Sequence, residues 1–218
     1  LDNEKIKQAM ALTGGMISMV DDAVGDIMNI LNNSDQAKNT VVCFNSDHGD
    51  YLGDFNMLLK GALPFNALTN VPFIWSDPQN ETKQTSDDLA STIDISATIL
   101  DRAGVNPFNG MKGKSLMPST RDEGFSREHL LIEYNDGGAR LGFETPARVR
   151  TIITSSYKFN IYLGQDWGEL YDLTIDPSET NNLWDDSNYS KIKAELSLSM
   201  NQELIGLMDE SPKSKRPA

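Results

Sequence analysis

The sequence predicts an α/β fold for its first part and a smaller antiparallel α+β region for the rest. Residues 4–33 place apolar side chains three or four positions apart, which is typical of a helix that buries one face. Residues 40–45 form a continuous apolar run rich in β-branched side chains, which favours a strand buried on both faces, as in a parallel sheet. Helix-like and strand-like segments then alternate, as an α/β sheet requires.

The next elements continue this alternation. Residues 71–75 are a second short apolar strand, entered through Pro72. Residues 87–103 return to the helical period, and Gly104 suits the position just after the helix, where a left-handed backbone is common. The predicted inner face of this helix consists of four apolar residues: Leu89, Ile93, Ile99 and Leu100.

The pattern changes after about residue 122. Short, nearly alternating segments predict antiparallel strands, and these segments are HLLIEYN, RVRTIITSS, KFNIYLG and ELYDL. Residues 188–208 predict a final helix with one apolar face, made of Tyr189, Ile192, Leu196, Met200, Leu204 and Leu207. We therefore expect an α/β domain over residues 1–122 and an α+β subdomain over residues 123–218.

Composition excludes some classes of partner. The 218-residue chain has a net charge of −13, whereas proteins that bind nucleic-acid backbones carry clustered lysine and arginine. A metal cation, or a substrate held by one, suits this charge better, although solubility explains it equally well. The single cysteine, Cys43, excludes an internal disulfide, and no apolar run reaches the roughly 20 residues of a membrane span. The start lacks methionine and reads as an interior cut through a longer chain, which leaves the compartment open.

Chemistry is concentrated in NSDHGDYLGD, residues 45–54. Ligands of open α/β sheets bind outside the carboxyl ends of the strands, which is where Asp47 and His48 fall. Carboxylate oxygen and imidazole nitrogen both bind metals, and Gly49 permits a tight backbone path beside them. Two ligands do not complete a metal site, so a capped acidic surface turn stays open as the other interpretation.

A longer stretch resembles the second half of the sulfatase family, within the alkaline-phosphatase-like superfamily. The stretch is VVCFNSDHGDYLGDFNMLLKGALPFNALTNVPFIWSDP. Members of that family read as an apolar strand, then S-D-[HN]-G-[DE]-x-x-G-[DE], a Lys-Gly, an aromatic residue and V-P-[FLI]-I. The segments GMKGKSLMP and ELYDLTIDPSETNNL continue the match, so the resemblance covers nearly the whole chain.

The resemblance implies a fold and an activity. The fold would be part of an alkaline-phosphatase-like sheet with flanking helices, and residues 1–122 would be the C-terminal part of its catalytic domain. Asp47 and His48 would be ligands of a divalent cation, with Ca²⁺ favoured and Mg²⁺ or Mn²⁺ as alternatives. Lys60 would be both catalytic and substrate-binding, because it would contact the oxygens of a sulfate ester. Asp50 and Asp54 would shape the loop or support the ligands from behind.

The family's nucleophile is absent from this sequence. It is a formylglycine made from Cys or Ser in C/S-x-P-x-R, and Cys43 is followed by Phe-Asn-Ser-Asp. The family's early Asp-Asp pair is absent too. We therefore expect the chain to be the C-terminal portion of a sulfatase that is inactive alone and self-associates through surfaces that truncation exposes. His129 is assigned a surface or strand-edge role. Phe55 departs from the family, in which many members have histidine.

Two other functions fit the same residues. A phosphonate or phosphodiester hydrolase of the same superfamily would share the Asp-His pair and the lysine but use a different nucleophile. A non-catalytic binding module would keep the fold without the reaction. The residues upstream of this sequence would discriminate the two hydrolases, because the nucleophile belongs to the N-terminal half of such enzymes.

Overall fold

The computed structural model describes residues 2–80, 83–121, 123–139 and 142–208. Its contacts form two compact units, one up to Lys83 and one from Gln84 onward. This division falls earlier in the chain than the domain boundary expected at residue 122. The compact units are not the same thing as the domains of the fold, so the boundary at residue 122 stays a prediction. No helix in the described ranges is long and apolar enough to cross a bilayer.

The first unit begins with the predicted long helix. Helix α1 spans Asn3–Asn32, and the Asp2 carboxylate accepts a hydrogen bond from the Glu4 amide at 3.1 Å to cap it. The expectation that this helix buries one face is wrong for the described chain, because none of its residues is buried. Periodicity reports a face suited to burial and not whether a partner covers it. The large apolar side chains that α1 exposes are Met10, Leu12, Met16, Ile17, Met19, Val20, Ile27 and Ile30.

The first unit also contains a two-stranded ladder. Strand β1 spans Val42–Asn45 and strand β2 spans Phe73–Ser76, with the short helix α2, Asn66–Thr69, between them. The two strands run antiparallel, so the expected parallel neighbour is wrong for the described pairing. Cys43 is half-buried, and burial raises the pKa of its thiol. An apolar β-branched run indicates a preference for burial, but it carries no information on the direction of the adjacent strand.

The second unit begins with the predicted α3, which starts later than expected. It spans Asp94–Arg102 and is followed by the four-residue α4, Met117–Thr120. Gly104 closes α3 as predicted, with φ +68° and with the Val105 amide donating to the Leu100 carbonyl at 2.9 Å. The predicted inner face is wrong at two of its four residues, because Ile93 and Ile99 are exposed, whereas Leu89 and Leu100 are half-buried. The residues of α3 that are buried are Asp94, Ala97 and Thr98.

Asp94 is buried because every part of its carboxylate has a partner. The Arg127 guanidinium donates to both oxygens, at 2.6 and 2.8 Å. The amides of Ser91 and Lys114 add bonds of 2.7 and 2.8 Å. A bidentate pair with further backbone donors compensates the loss of hydration that an isolated buried carboxylate would suffer. This side chain therefore fastens the start of α3 to two later segments of the same unit.

The predicted antiparallel strands form one four-stranded meander. They are β3 (Leu130–Asn135), β4 (Arg148–Ile153), β5 (Tyr157–Tyr162) and β6 (Gly168–Asp172), in that order across the sheet. The predicted last helix is α5, Ser190–Gly206. The strand register places Ile152, Phe159 and Leu170 side by side on the face of the sheet that α5 covers. The buried cluster on this face is Ile152, Phe159, Leu170, Leu183, Leu196 and Met200.

The opposite face of this sheet is buried and polar. Lys158 forms an ion pair with Glu179, and both side chains are 1% exposed. Glu169 accepts hydrogen bonds from Asn160 at 2.7 Å and from Tyr162 at 2.6 Å. Such groups are stable in a protein interior only when they are paired. His129 lies just before β3 and contacts Glu203 of α5 at 2.9 Å, which fits the strand-edge role expected for it.

Replacing Arg127 with methionine is expected to destabilise the chain by about 3–5 kcal/mol, because the buried Asp94 carboxylate would lose its counter-charge. The matched control is Arg150→Met, since Arg150 pairs with Glu133 at 2.9 Å on a far more exposed surface. That control should cost no more than about 1 kcal/mol. Chemical denaturation measures both values, and equal losses would contradict the assigned role of Asp94.

The exposed apolar face of α1 predicts self-association of the isolated chain. Leu12, Met19 and Ile30 are 72%, 72% and 74% exposed, and their spacing places them on one side of the helix. Changing all three to glutamine should shift the chain toward monomer in light scattering. Ile175→Gln, at an equally exposed site outside α1, should leave the size unchanged. A monodisperse wild-type monomer would refute the prediction.

Candidate functional site

A loop that follows β1 carries the residues singled out from the sequence. Gly49 holds this loop against α2, because its amide donates to the Leu68 carbonyl at 2.9 Å. A Cβ atom at Gly49 would lie 1.8 Å from the Ala67 carbonyl oxygen, a distance that no side chain tolerates. Only glycine therefore fits at position 49, because two backbone segments approach each other too closely there to leave room for a side chain. This approach fixes the position of the two residues before it.

The His48 ring is locked in one orientation. Its Nδ1 lies 2.7 Å from the Gly49 carbonyl oxygen. A carbonyl only accepts hydrogen bonds, so Nδ1 carries the proton and the neutral ring presents a lone pair on Nε2. The Lys60 ammonium donates to that nitrogen at 2.7 Å. The Nε2 lone pair of His48 is therefore directed at the Lys60 ammonium.

The Asp47 carboxylate lies beside the same nitrogen. Its Oδ1 accepts a hydrogen bond from the His48 amide at 2.9 Å, and its Oδ2 lies 3.5 Å from His48 Nε2. The bond from the His48 amide lowers the pKa of Asp47, and the positive charge of Lys60 lowers it further. Asp47 is therefore ionised at neutral pH, and its side chain, at 85% exposed, is open to a ligand.

The structure brings together the three residues predicted for the site. Two ligands on one ion, each at about 2.0–2.6 Å, lie roughly 3–3.6 Å apart, and the separation of Asp47 Oδ2 and His48 Nε2 falls in that range. The Lys60 ammonium lies at the Nε2 lone pair, which is the position that a metal ion bound to Nε2 would take. The donor set therefore fits a divalent metal. No group of three or more His, Cys, Asp and Glu side chains in the described ranges is arranged to hold one.

The loop between these residues has an unusual backbone. Four residues other than glycine have left-handed φ angles, namely Leu52, Phe55, Asn56 and Leu59, with values of 45°, 51°, 60° and 64°. Each such residue costs about 1–3 kcal/mol, so the surrounding contacts must hold the loop. The Asp50 carboxylate accepts from the Leu52 amide at 2.8 Å, which is the loop-shaping role expected of it. Asp54 begins a single exposed 3₁₀ turn.

Sequence reasoning missed Tyr51, which is central to this loop. The side chain is 1% exposed, and its hydroxyl donates to the Leu63 carbonyl at 2.8 Å and accepts from the Leu63 amide at 3.2 Å. The Tyr51 amide donates to the Leu59 carbonyl at 2.9 Å, which closes the base of the loop. An aromatic residue directly after Asp50, in a segment that contains glycines, gives no periodic signal that would have revealed this anchor.

Gly49→Ala is expected to destabilise the chain by about 1–3 kcal/mol and to disturb the Asp47 and His48 resonances, because the new methyl group would push the loop off α2. Gly15→Ala is the matched control, since nothing lies within 4 Å of the position that a Cβ atom would take there in α1. That change should stabilise the chain by about 0.5–1 kcal/mol through helix propensity. Thermal unfolding and amide spectra test both, and a harmless Gly49→Ala would refute the close approach.

Two known families match overlapping parts of the chain. Residues 60–205 match the family described as N-sulphoglucosamine sulphohydrolase, C-terminal, and residues 2–105 match the family described as Sulfatase. The Delta 4,5-hexuronate-2-O-sulfatase of Bacteroides thetaiotaomicron is 31% identical over 197 residues, which are 89% of this chain and 40% of that protein. The chain thus spans well under half the length of this curated relative.

Solved structures show the same fold. A 2-O GAG sulfatase superposes with a TM-score of 0.78 and 30% identity, over 92% of this chain and 43% of that one. The phosphonate monoester hydrolase of Agrobacterium radiobacter gives a TM-score of 0.80 with 26% identity, over 93% of this chain and 44% of that one. Together with the family matches over most of its length, these similarities show that the chain belongs to the sulfatase family, with an alkaline-phosphatase-like fold.

Proposed function

We propose that this chain is the part of a metal-dependent sulfuric ester hydrolase that supplies two metal ligands and a sulfate-binding lysine. The convergence of Asp47 Oδ2, His48 Nε2 and Lys60 Nζ, at 3.5 and 2.7 Å from the imidazole nitrogen, carries the proposal. The remaining ligands and the formylglycine nucleophile would come from parts of the enzyme outside this sequence. The chain on its own is expected to be inactive.

Each of the three residues has a role that its environment supports. A bound divalent cation would supply Lewis-acid polarisation of the sulfate oxygens. Asp47 offers an ionised carboxylate, and His48 offers a lone pair whose direction the Gly49 carbonyl fixes. Lys60 would bind the sulfate oxygens and stabilise the charge that develops on the leaving oxygen. Its ammonium suits this task as a mobile point charge with three donors.

The substrate we propose is a sulfate ester of a sugar. The similarity to a hexuronate-2-O-sulfatase and to an N-acetylglucosamine-6-O-sulfatase supports a sugar as the alcohol. The second candidate activity is hydrolysis of a phosphonate monoester, which the structural similarity to such an enzyme favours. The two activities need the same cation and lysine, so the ratio of the affinities for a sulfate monoester and a phosphonate monoester of the same alcohol discriminates them.

Removing either ligand is expected to weaken cation binding by at least about tenfold. The selective broadening of the Asp47 and His48 resonances by Mn²⁺ measures this, since it detects weak sites. Asp47→Asn and His48→Ala should lose the broadening, whereas the matched control His129→Ala should keep it. Ca²⁺ should compete with Mn²⁺ for the site. Equal effects of the two histidine changes would overturn the assignment.

Lys60→Met is expected to separate anion binding from cation binding. It removes the charge that meets sulfate, so affinity for inorganic sulfate should fall about tenfold. It also removes the donor to His48 Nε2, so Mn²⁺ should bind at least as well as in the wild type. Metal-dependent turnover of a sulfate ester by the isolated chain, abolished by His48→Ala, would contradict the expected inactivity.

A further inference from the structure

The strained loop starts and ends at the proposed site. It begins at Tyr51, three residues after His48, and ends at Leu59, next to Lys60, whose ammonium contacts the His48 ring at 2.7 Å. The bond from the Tyr51 amide to the Leu59 carbonyl holds its two stems together. Left-handed backbone at residues other than glycine persists where the surroundings enforce it, and such residues cluster at ligand-binding segments. The loop is therefore a candidate to contact what the site binds.

The Phe55 side chain at the tip of this loop is supported from one side. Its ring stacks on Phe65, with centroids 3.9 Å apart and an angle of 19° between the planes. Phe65 is 6% exposed, whereas Phe55 is 43% exposed. Phe65 in turn packs edge-to-face against Tyr51 at 6.4 Å. One face of the Phe55 ring thus rests on a buried aromatic pair while the rest of the ring meets solvent.

The reach of the chain limits how far this ring can lie from the site. Phe55 is about four positions from each stem of the loop, at Tyr51 and at Leu59, so its backbone lies at most about 14 Å from either stem. The tip is further closed by the bond from the Gly53 amide to the Met57 carbonyl at 2.8 Å. An ester whose sulfate is held by Lys60 and whose alcohol carries a ring spans a comparable distance, so the reach of the loop permits contact with the Phe55 ring.

We propose that Phe55 determines specificity by stacking on a six-membered ring in the alcohol portion of the ester. This inference rests on the proposed function. A flat aromatic face gains from contact with another ring or with the C–H face of a sugar, and it offers nothing to a bare anion. Aryl and pyranose rings share that apolar face. The loop therefore selects esters that carry a ring directly beside the sulfate.

The test compares three anions that share the sulfate group. Inorganic sulfate, 4-nitrophenyl sulfate and glucosamine 6-sulfate are titrated into the chain in the presence of Ca²⁺, and amide shifts report each affinity. The wild type should bind at least one ring-bearing ester more tightly than inorganic sulfate. Phe55→Ala should remove that preference, a loss of about fivefold, and leave inorganic sulfate unchanged. Phe55→Trp should restore it, and the ester affected distinguishes an aryl from a pyranose ligand.

Two further variants keep the outcome decisive. Phe55→Leu retains an apolar contact with Phe65 but has no flat face, so it should fold normally and still lose the preference. Phe108→Ala is the matched control, because that ring is 68% exposed and lies outside the loop. If Phe55→Ala weakened the binding of all three anions equally, or weakened the binding of none, the inference would be overturned. If Lys60→Met weakens the binding of none of the three anions, the proposed function fails, whatever the Phe55 variants show.

Discussion

The close approach of Gly49 to α2 is the constraint on which the candidate site depends. The bond from its amide to the Leu68 carbonyl fixes the backbone directly after His48, and the absence of a side chain is what permits that bond. The Gly49 carbonyl then orients the His48 ring, and the ring orients Lys60. One glycine therefore sets the tautomer of a histidine and, through it, the position of the cationic group of the site.

The family resemblance, and not spacing alone, predicted the residues of the candidate site, and neither indicated what supports them. The resemblance assigned roles to Asp47, His48 and Lys60, and the structure places both Asp47 and Lys60 beside the His48 ring, while their chemical roles stay a proposal. Tyr51 went unnoticed because its role depends on hydrogen bonds to Leu63, twelve residues away in the chain. The left-handed residues went unnoticed for a related reason. Leu and Phe have no intrinsic preference for that backbone, so tertiary contacts impose it.

The fold divides in the same way between what was predictable and what was not. The antiparallel meander and the closing glycine of α3 follow from local patterns, because alternation and a left-handed C-terminus are encoded residue by residue. The inner face of α3 was wrong because the rule places apolar residues inside, whereas Asp94 is buried by virtue of Arg127. The burial of Asp94 depends on a partner 33 residues away in the chain, and the periodicity of apolar residues contains no information on such a pairing.

Charge gives a reason why the proposed site would use a cation in addition to Lys60. The chain carries a net charge of −13, which repels an anionic ester, and Lys60 lies beside the ionised Asp47, which offsets much of its field. Lys60 is also engaged with the His48 lone pair. A divalent cation on Asp47 and His48 would neutralise the carboxylate and occupy that lone pair, which leaves the ammonium free to face sulfate. In this arrangement the metal and the lysine are alternatives at His48 Nε2, so cation binding and the availability of Lys60 for anions are coupled through one imidazole nitrogen.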